Sequence, residues 1–307
     1  MFYNLKGADK YIAYSIITAI SIIKYTSLII VLSGLILPIH FTYLVTIWSN
    51  IIFILSYTTE ILLFPKAASQ SIFQLLSLPY IHLKESFKLP SIQSYNQKNN
   101  YILPFEKKWL VVNGGVSKQT SHCWNMLSQR YAYDFLIVDE NLKSHTNSSL
   151  VLDNYHCYGK NILAPSDGIV VELMANYHDG EMLLFGLRDK RIKDIRGNYI
   201  VIKHRHGEYS VLAHLMKNSI LVEKGQKVKQ GDIIAKCGNS GNSSEPHLHF
   251  QVQKGVSFCF SAGVPVKFDN FTSELLPKYE NIYKRAVSTD ELHKGFLTRG
   301  YVVKSTL

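Results

Sequence analysis

The chain has 307 residues, of which 47% are apolar and only 18% charged, and it carries a formal net charge of +10. That length accommodates two domains and a substantial core, and the basic balance favours anionic partners such as lipid headgroups or wall polymers. No zinc-finger spacing or RRM-like aromatic motif accompanies the charge, so nucleic acid is not an expected partner. The four cysteines (Cys123, Cys157, Cys237 and Cys259) form no CxxC pair, against a zinc knuckle or a dense disulfide scaffold. One or two disulfides stay open.

From Tyr11 to Phe64 the chain is dominated by Ile, Leu, Val, Phe, Tyr, Ser and Thr, with Lys24 and Glu60 its only formal charges. The run exceeds the roughly 20 residues that cross a bilayer and is too long for a cleavable signal. Residues 1–64 are therefore expected to be a transmembrane anchor region with the lipid bilayer as partner. Two arrangements stay open. Pro38-Ile39-His40 turns a helix over 15–37 back into one over 41–63, giving a helical hairpin, or a single tilted transmembrane helix covers about 27–48. Lys6 and Lys10 favour a cytoplasmic N-terminus, so one crossing puts the remainder outside and two put it inside. The expected location is the cell membrane with an extracytoplasmic C-terminal domain.

Residues 65–104, with Pro65, Pro79, Pro90 and a polar run over 93–100, read as an interfacial segment and linker. Short alternating runs separated by Gly and Asn follow: Lys108–Val112, Tyr133–Val138, Gly168–Leu173, Asn198–Lys203 and Tyr209–His214. They predict a mainly β, antiparallel domain over 105–270. Residues 271–307 read as a C-terminal extension with a short helix over 273–283 and a last strand.

The chemistry concentrates at Glu245-Pro246-His247-Leu248-His249-Phe250-Gln251-Val252. Strand periodicity puts His247, His249 and Gln251 on one face and Leu248, Phe250 and Val252 on the other. Two imidazoles on an oily-backed strand suit a metal, but a catalytic zinc needs a third protein ligand. Asp134, in a strand otherwise apolar on both faces, is the best carboxylate, because a buried acid needs a partner or a metal; backbone amides at a strand end would also serve. The strand Ser210–Leu215 carries His214 on a face with Leu212 and Ser210. Gly225 and Gly231 bracket a further short strand.

Ala164–Val171, Gly197–Ile202, Leu212-Ala213-His214-Leu215, Gly225–Gly231, Gly238-Asn239-Ser240-Gly241 and Pro246–Phe250, in this order and spacing, resemble the lysostaphin/LytM-type zinc metallopeptidases over about half of the chain. The resemblance implies a barrel-sandwich-like duplicated hybrid motif with a groove holding one Zn²⁺ per chain, and peptidoglycan peptides as substrate. It implies His249 and Asp134 as metal ligands and His247 and His214 as the catalytic pair. The family's usual first ligand, four residues before the Asp, is Arg130 here. His122, with eleven residues between it and Asp134, takes that role by the longer spacing of some relatives, with Cys123 and His156 as substitutes. In such sites the metal brings the pKa of water to about 7. A histidine of pKa about 6.5 then moves the proton, and a second stabilises the oxyanion.

Fold and zinc site do not by themselves identify a substrate. The alternative is a catalytically inactive domain of the same fold that binds cell wall or activates another wall hydrolase. A biotinyl or lipoyl carrier lacks a modifiable Lys at a hairpin tip and leaves His247 and His249 unexplained. A cupin would need a further Glu and His downstream, where only His293 follows.

Overall fold

The computed structural model describes residues 65–182, 192–276, 279–283, 287–288, 291–292 and 295–306, with isolated positions before 65. The anchor expected within 1–64 lies outside the described residues, apart from those positions. Among the described residues no helix is long and apolar enough to cross a membrane. Residues 1–69 and 70–307 are two compact units, and apart from the first five residues of the helix over 65–84 the architecture below is that of the second.

The segment expected at an interface is a 20-residue helix, α1 (Pro65–Lys84). Among the described residues twelve strands follow: β1 (Lys108–Gly114), β2 (Tyr133–Leu136), β3 (Asn161–Leu163), β4 (Gly168–Met174), β5 (Asn198–Lys203), β6 (Tyr209–Leu215), β7 (Lys227–Val228), β8 (Ile233–Lys236), β9 (Leu248–Gln253), β10 (Gly263–Val264), β11 (Phe271–Leu275) and β12 (Tyr301–Ser305). The β-branched and aromatic runs form them because such side chains pack well on a pleated, half-buried surface. Gly225 and Gly231 flank β7 at φ +92° and +88°, a left-handed conformation that costs glycine nothing.

Every strand pairing in the principal sheet is antiparallel, in the order β11-β12-β1-β2-β9-β6-β5-β4-β7, with β10 on β9. β3 and β8 pair separately. The decisive feature is β9, which inserts between β2 and β6 and joins segments far apart in sequence. Leu248, Phe250 and Val252 enter the core as their alternation requires, with Phe135, Leu212, Trp109 and Phe105. Burying each such side chain stabilises the fold by roughly 1.5–3 kcal/mol, and Phe105 stacks on Trp109 at 4.6 Å between centroids.

The C-terminal helix differs from expectation. Phe271–Leu275 is a strand, and among the described residues the helix, α2, spans Tyr279–Tyr283. Phe271-Thr272-Ser273 has little helix propensity, and pairing of β11 along all five positions of β12 supplies its hydrogen bonds. Because β12 pairs with β1, this segment extends the principal sheet. All four cysteines are free thiols.

Candidate metal and catalytic centre

Strand register assembles the centre. Asn113, Asp134, His249 and Ala213 stand in one row across β1, β2, β9 and β6. Neighbours in such a row share a sheet face and lie about 5 Å apart, so Asp134 and His249 meet although 115 residues separate them. The carboxylate reaches His249 Nδ1 at 3.0 Å through Oδ1, and Asn113 Nδ2 donates to Oδ2 at 3.2 Å.

His122 comes from the loop between β1 and β2, with its Nε2 3.2 Å from Asp134 Oδ2. Ser121 Oγ donates to Arg130 O at 2.6 Å and fixes the loop beside it. The Glu291 carboxylate accepts from Val116 N at 3.1 Å and from Thr120 Oγ1. Arg130, at the position where the resemblance expects a ligand, instead lays its guanidinium over the Trp124 ring at 4.5 Å. Cys123 lines the same cavity but is not in the ligand cluster, and His156 does not line it.

One donor atom each from His122, Asp134 and His249 lies within 4.8 Å of the others. This set fits a tetrahedral divalent ion, whose bonds of about 2.0–2.1 Å place ligand atoms roughly 3.3 Å apart. The tautomer of His249 strengthens the fit. Gln251 Nε2 donates to Ser128 O at 3.1 Å and Gln253 Oε1 at 2.6 Å, so Gln251 Oε1 is the acceptor that takes the His249 Nε2 proton at 3.0 Å. His249 Nδ1 then faces the carboxylate with a lone pair, an arrangement that a cation or a shared proton must relieve. His122 Nδ1 is buried without a hydrogen-bond partner. Burial pushes the Asp134 carboxyl up, but His122, then His249 and His247, outweigh it and hold it well below the usual carboxylate range. Three residues in this arrangement can hold a metal ion.

The other two histidines flank this set. His247 Nδ1–H donates to Glu245 O at 2.8 Å, with Ser243 Oγ at 3.1 Å, and its Nε2 lies 3.6 Å from Asp134 Oδ1. His214 Nδ1–H donates to Ser240 O at 2.8 Å, and its ring lies 4.6 Å from His247 and 5.8 Å from His249. Burial, then the nearness of the His247 and His249 rings, push the His214 imidazole well below its ordinary value and keep it neutral.

His214 does not share a face with Leu212, which pairs with Phe250 in the core. The β5–β6 register shifts between Asn198 and Ile200, and His214 takes φ +62°, so the alternation breaks and its ring turns to the centre. Backbone bonds hold the bulge, His214 N to Arg196 O at 2.9 Å and Gly238 N to His214 O at 3.0 Å. The Gly238–Gly241 loop delivers Ser240 O because Gly241, at φ +78°, packs where a Cβ would collide with Gly197 N.

A cavity of about 530 Å³ opens over these residues, with Ser71 and Gln74 of α1, Arg196, Glu245, Phe258 and Tyr283 on its walls. Asn113, Gln251 and Arg196 are residues that the sequence did not single out for roles here. Gln251 was visible as the next position on the face of the histidine pair. Asn113 and Arg196 carried no signal, because strand register brings in the first and the loop before β5, bonded to His214 N, brings in the second.

The Peptidase family M23 model matches residues 152–266, a span holding His214, His247 and His249 and preceded by His122 and Asp134. The peptidoglycan DD-endopeptidase ShyA of Vibrio cholerae is 46% identical over 56 residues, 18% of this chain and 13% of that protein. The murein hydrolase activator NlpD of Salmonella dublin is 44% identical over 62 residues, 20% of this chain and 16% of that protein. The chain thus spans less than a fifth of the length of these curated relatives. A crystal structure of a zinc-containing peptidase from Vibrio cholerae aligns at a TM-score of 0.32 and 22% identity, covering 54% of this chain and 39% of that one. The matched segment supplies three of the five histidine and aspartate side chains gathered here, and over residues 152–266 the chain is similar to peptidase family M23.

Proposed function

We propose that this chain is a membrane-anchored, zinc-dependent endopeptidase that hydrolyses peptide bonds in peptidoglycan cross-links or stem peptides. The observation that carries it is the convergence of His122, Asp134 and His249 as donors with His214 and His247 beside them. Similarity to a protein named peptidoglycan DD-endopeptidase supports the substrate. The apolar run over 11–64 supports the anchor, and an extracytoplasmic domain, of duplicated hybrid motif fold, would then face the polymer.

His122 and His249, through imidazole nitrogens, and Asp134, through its carboxylate, would hold one Zn²⁺. Bound there, zinc supplies Lewis acidity and a water acidified to a pKa of about 7. Hydrogen bonds through Nδ1–H to Ser240 O and Glu245 O leave Nε2 of His214 and His247 as the free ring nitrogens. A neutral ring held this way accepts a proton at Nε2 from the attacking water and returns it to the leaving amine. Once protonated, either ring donates from the same atom to the developing oxyanion. Buried Asp134, facing His122, His249 and His247, keeps its negative charge and holds the three rings toward one point.

A catalytically inactive wall-binding or hydrolase-activating domain is the alternative, drawn from the similarity to a protein named murein hydrolase activator. A complete donor set with two anchored histidines favours the enzyme. Elemental analysis of the full chain in nanodiscs should give about one zinc per chain, and less than a tenth of that in Asp134→Ala or His249→Ala. A folded wild-type protein that takes up no zinc would remove the metallopeptidase reading.

A further inference from the structure

Helix α1 is amphipathic in the unexpected sense, with polar side chains toward the protein and apolar ones away from it. Gln70 Oε1 accepts from Ile195 N at 2.7 Å and its Nε2 donates to Lys193 O at 3.1 Å. Gln74 lines the catalytic cavity, and Ser77 is buried with its Oγ donating to Gln74 O at 2.7 Å. Ile81 is fully buried against Leu127 and Ala262, with Leu78 packed partly buried beside it. Just beyond the helix, Glu85 pairs with Lys254.

The opposite face carries Ile72, Phe73, Leu75, Leu76, Tyr80 and Leu83, and Phe87 follows the helix, all exposed. Leu75, Leu83 and Phe87 are 66%, 67% and 71% exposed. Spacings of three and four residues put Phe73, Leu76, Tyr80 and Leu83 on one stripe. Water does not hold so many large apolar side chains together without an apolar phase to receive them. The chain entering this helix is the 11–64 run, long enough to cross a bilayer, while exposed Lys84 and Lys88 suit anionic headgroups at the helix end.

We propose that α1 lies in the plane of the membrane interface, with its outer face in lipid and its inner face forming one wall of the catalytic cavity. A helix is about 10–12 Å across. The cavity therefore sits about one helix thickness from the headgroups and works on wall peptides next to the membrane. Single polar side chains and Lys84 keep α1 at the surface, since interfacial helices combine a large apolar stripe with a polar face. The proposal rests on the anchored reading of 11–64 but not on catalysis.

The test uses the full chain in vesicles of phosphatidylglycerol and phosphatidylethanolamine carrying a diazirine on the acyl chain of a tracer lipid. After irradiation, the peptide over 72–87 should carry at least tenfold more label than one holding Leu221 and Ile233, which are exposed apolar residues elsewhere. Phe73→Glu with Leu76→Glu should cut the label at α1 at least fivefold and leave hydrolysis of a soluble peptide substrate unchanged. Should that variant not fold, Leu75→Ser with Leu83→Ser should give the same direction with a smaller drop. Label confined to 11–64 would overturn the proposal and leave the anchor standing; label in neither would overturn both. Cross-linked dimers joined through 72–87 would also overturn it, by showing that a second copy covers the face.

Discussion

His214 occupies a left-handed backbone conformation, φ +62°, that costs a non-glycine residue of order 1 kcal/mol or more. The bulge that imposes it is bonded on both sides to Arg196 and Gly238, and the result is a ring aimed at His247 rather than into the core. The histidine pair itself was legible in the sequence because period-2 alternation assigns faces without further information. The turn of His214 was not, since it arises from a register shift against β5 and leaves no local mark. His122 was reachable only through the resemblance, because its loop places it by long-range bonds to Glu291 and Arg130. Gln251 tests this scale. Gln251→Leu removes the acceptor that fixes the His249 tautomer and should weaken zinc binding by about 10–100-fold with an unchanged circular dichroism spectrum. Unaltered zinc affinity in a competition titration with a chelator would show that His249 needs no such partner.

Elements were legible where alternation was clean, as in β1, β5 and β9, and in β6 up to its bulge at His214. β11 was masked by a composition that suits either a helix or a strand until a pairing partner exists, and that partner, β12, lies some thirty residues on. Side-chain bonds also join elements that no periodicity links. Glu208, beside the start of β6, accepts from Tyr95 OH at 2.7 Å, Lys98 N at 2.8 Å, Asn99 Nδ2 at 2.6 Å and Tyr101 OH at 2.9 Å, clasping the segment before β1 to the β5–β6 hairpin. Burial raises its carboxyl, but the bonds from Asn99, Tyr95, Lys98 and Tyr101 outweigh that and hold it below the ordinary value of 4.5. A folded-state value below the unfolded one means the stabilisation is present above about pH 4.5 and is lost as pH falls through the folded-state value. Glu208→Gln presents an amide N–H to a ring of donors and should cost about 1.5–3 kcal/mol at neutral pH. Its stability should then fall less steeply with acid than the wild type's. Denaturant melts at pH 7 and pH 4 check both; equal acid slopes would rule Glu208 out as the source.

At the scale of the whole molecule, the insertion of β9 between β2 and β6 makes the centre, and topology of that kind is not written in any local pattern. The resemblance carried it, through the order of glycine turns and the His-x-His strand. The C-terminal segment also takes part. Glu291 holds the loop ahead of His122, Arg299 N donates to Gly114 O at 2.9 Å, and β12 covers β1, so the centre depends on residues well beyond the segment matched by the family.

The central claim is that the donor set holds the metal while His247 moves protons, and these two roles separate in one comparison. Wild type and His247→Ala, matched for zinc content by elemental analysis, are incubated with purified peptidoglycan and the released peptides are quantified. Equal zinc with a loss of about 10²–10⁴-fold in release is the predicted result. Release by His247→Ala at the wild-type rate, or none by zinc-loaded wild type, would contradict it.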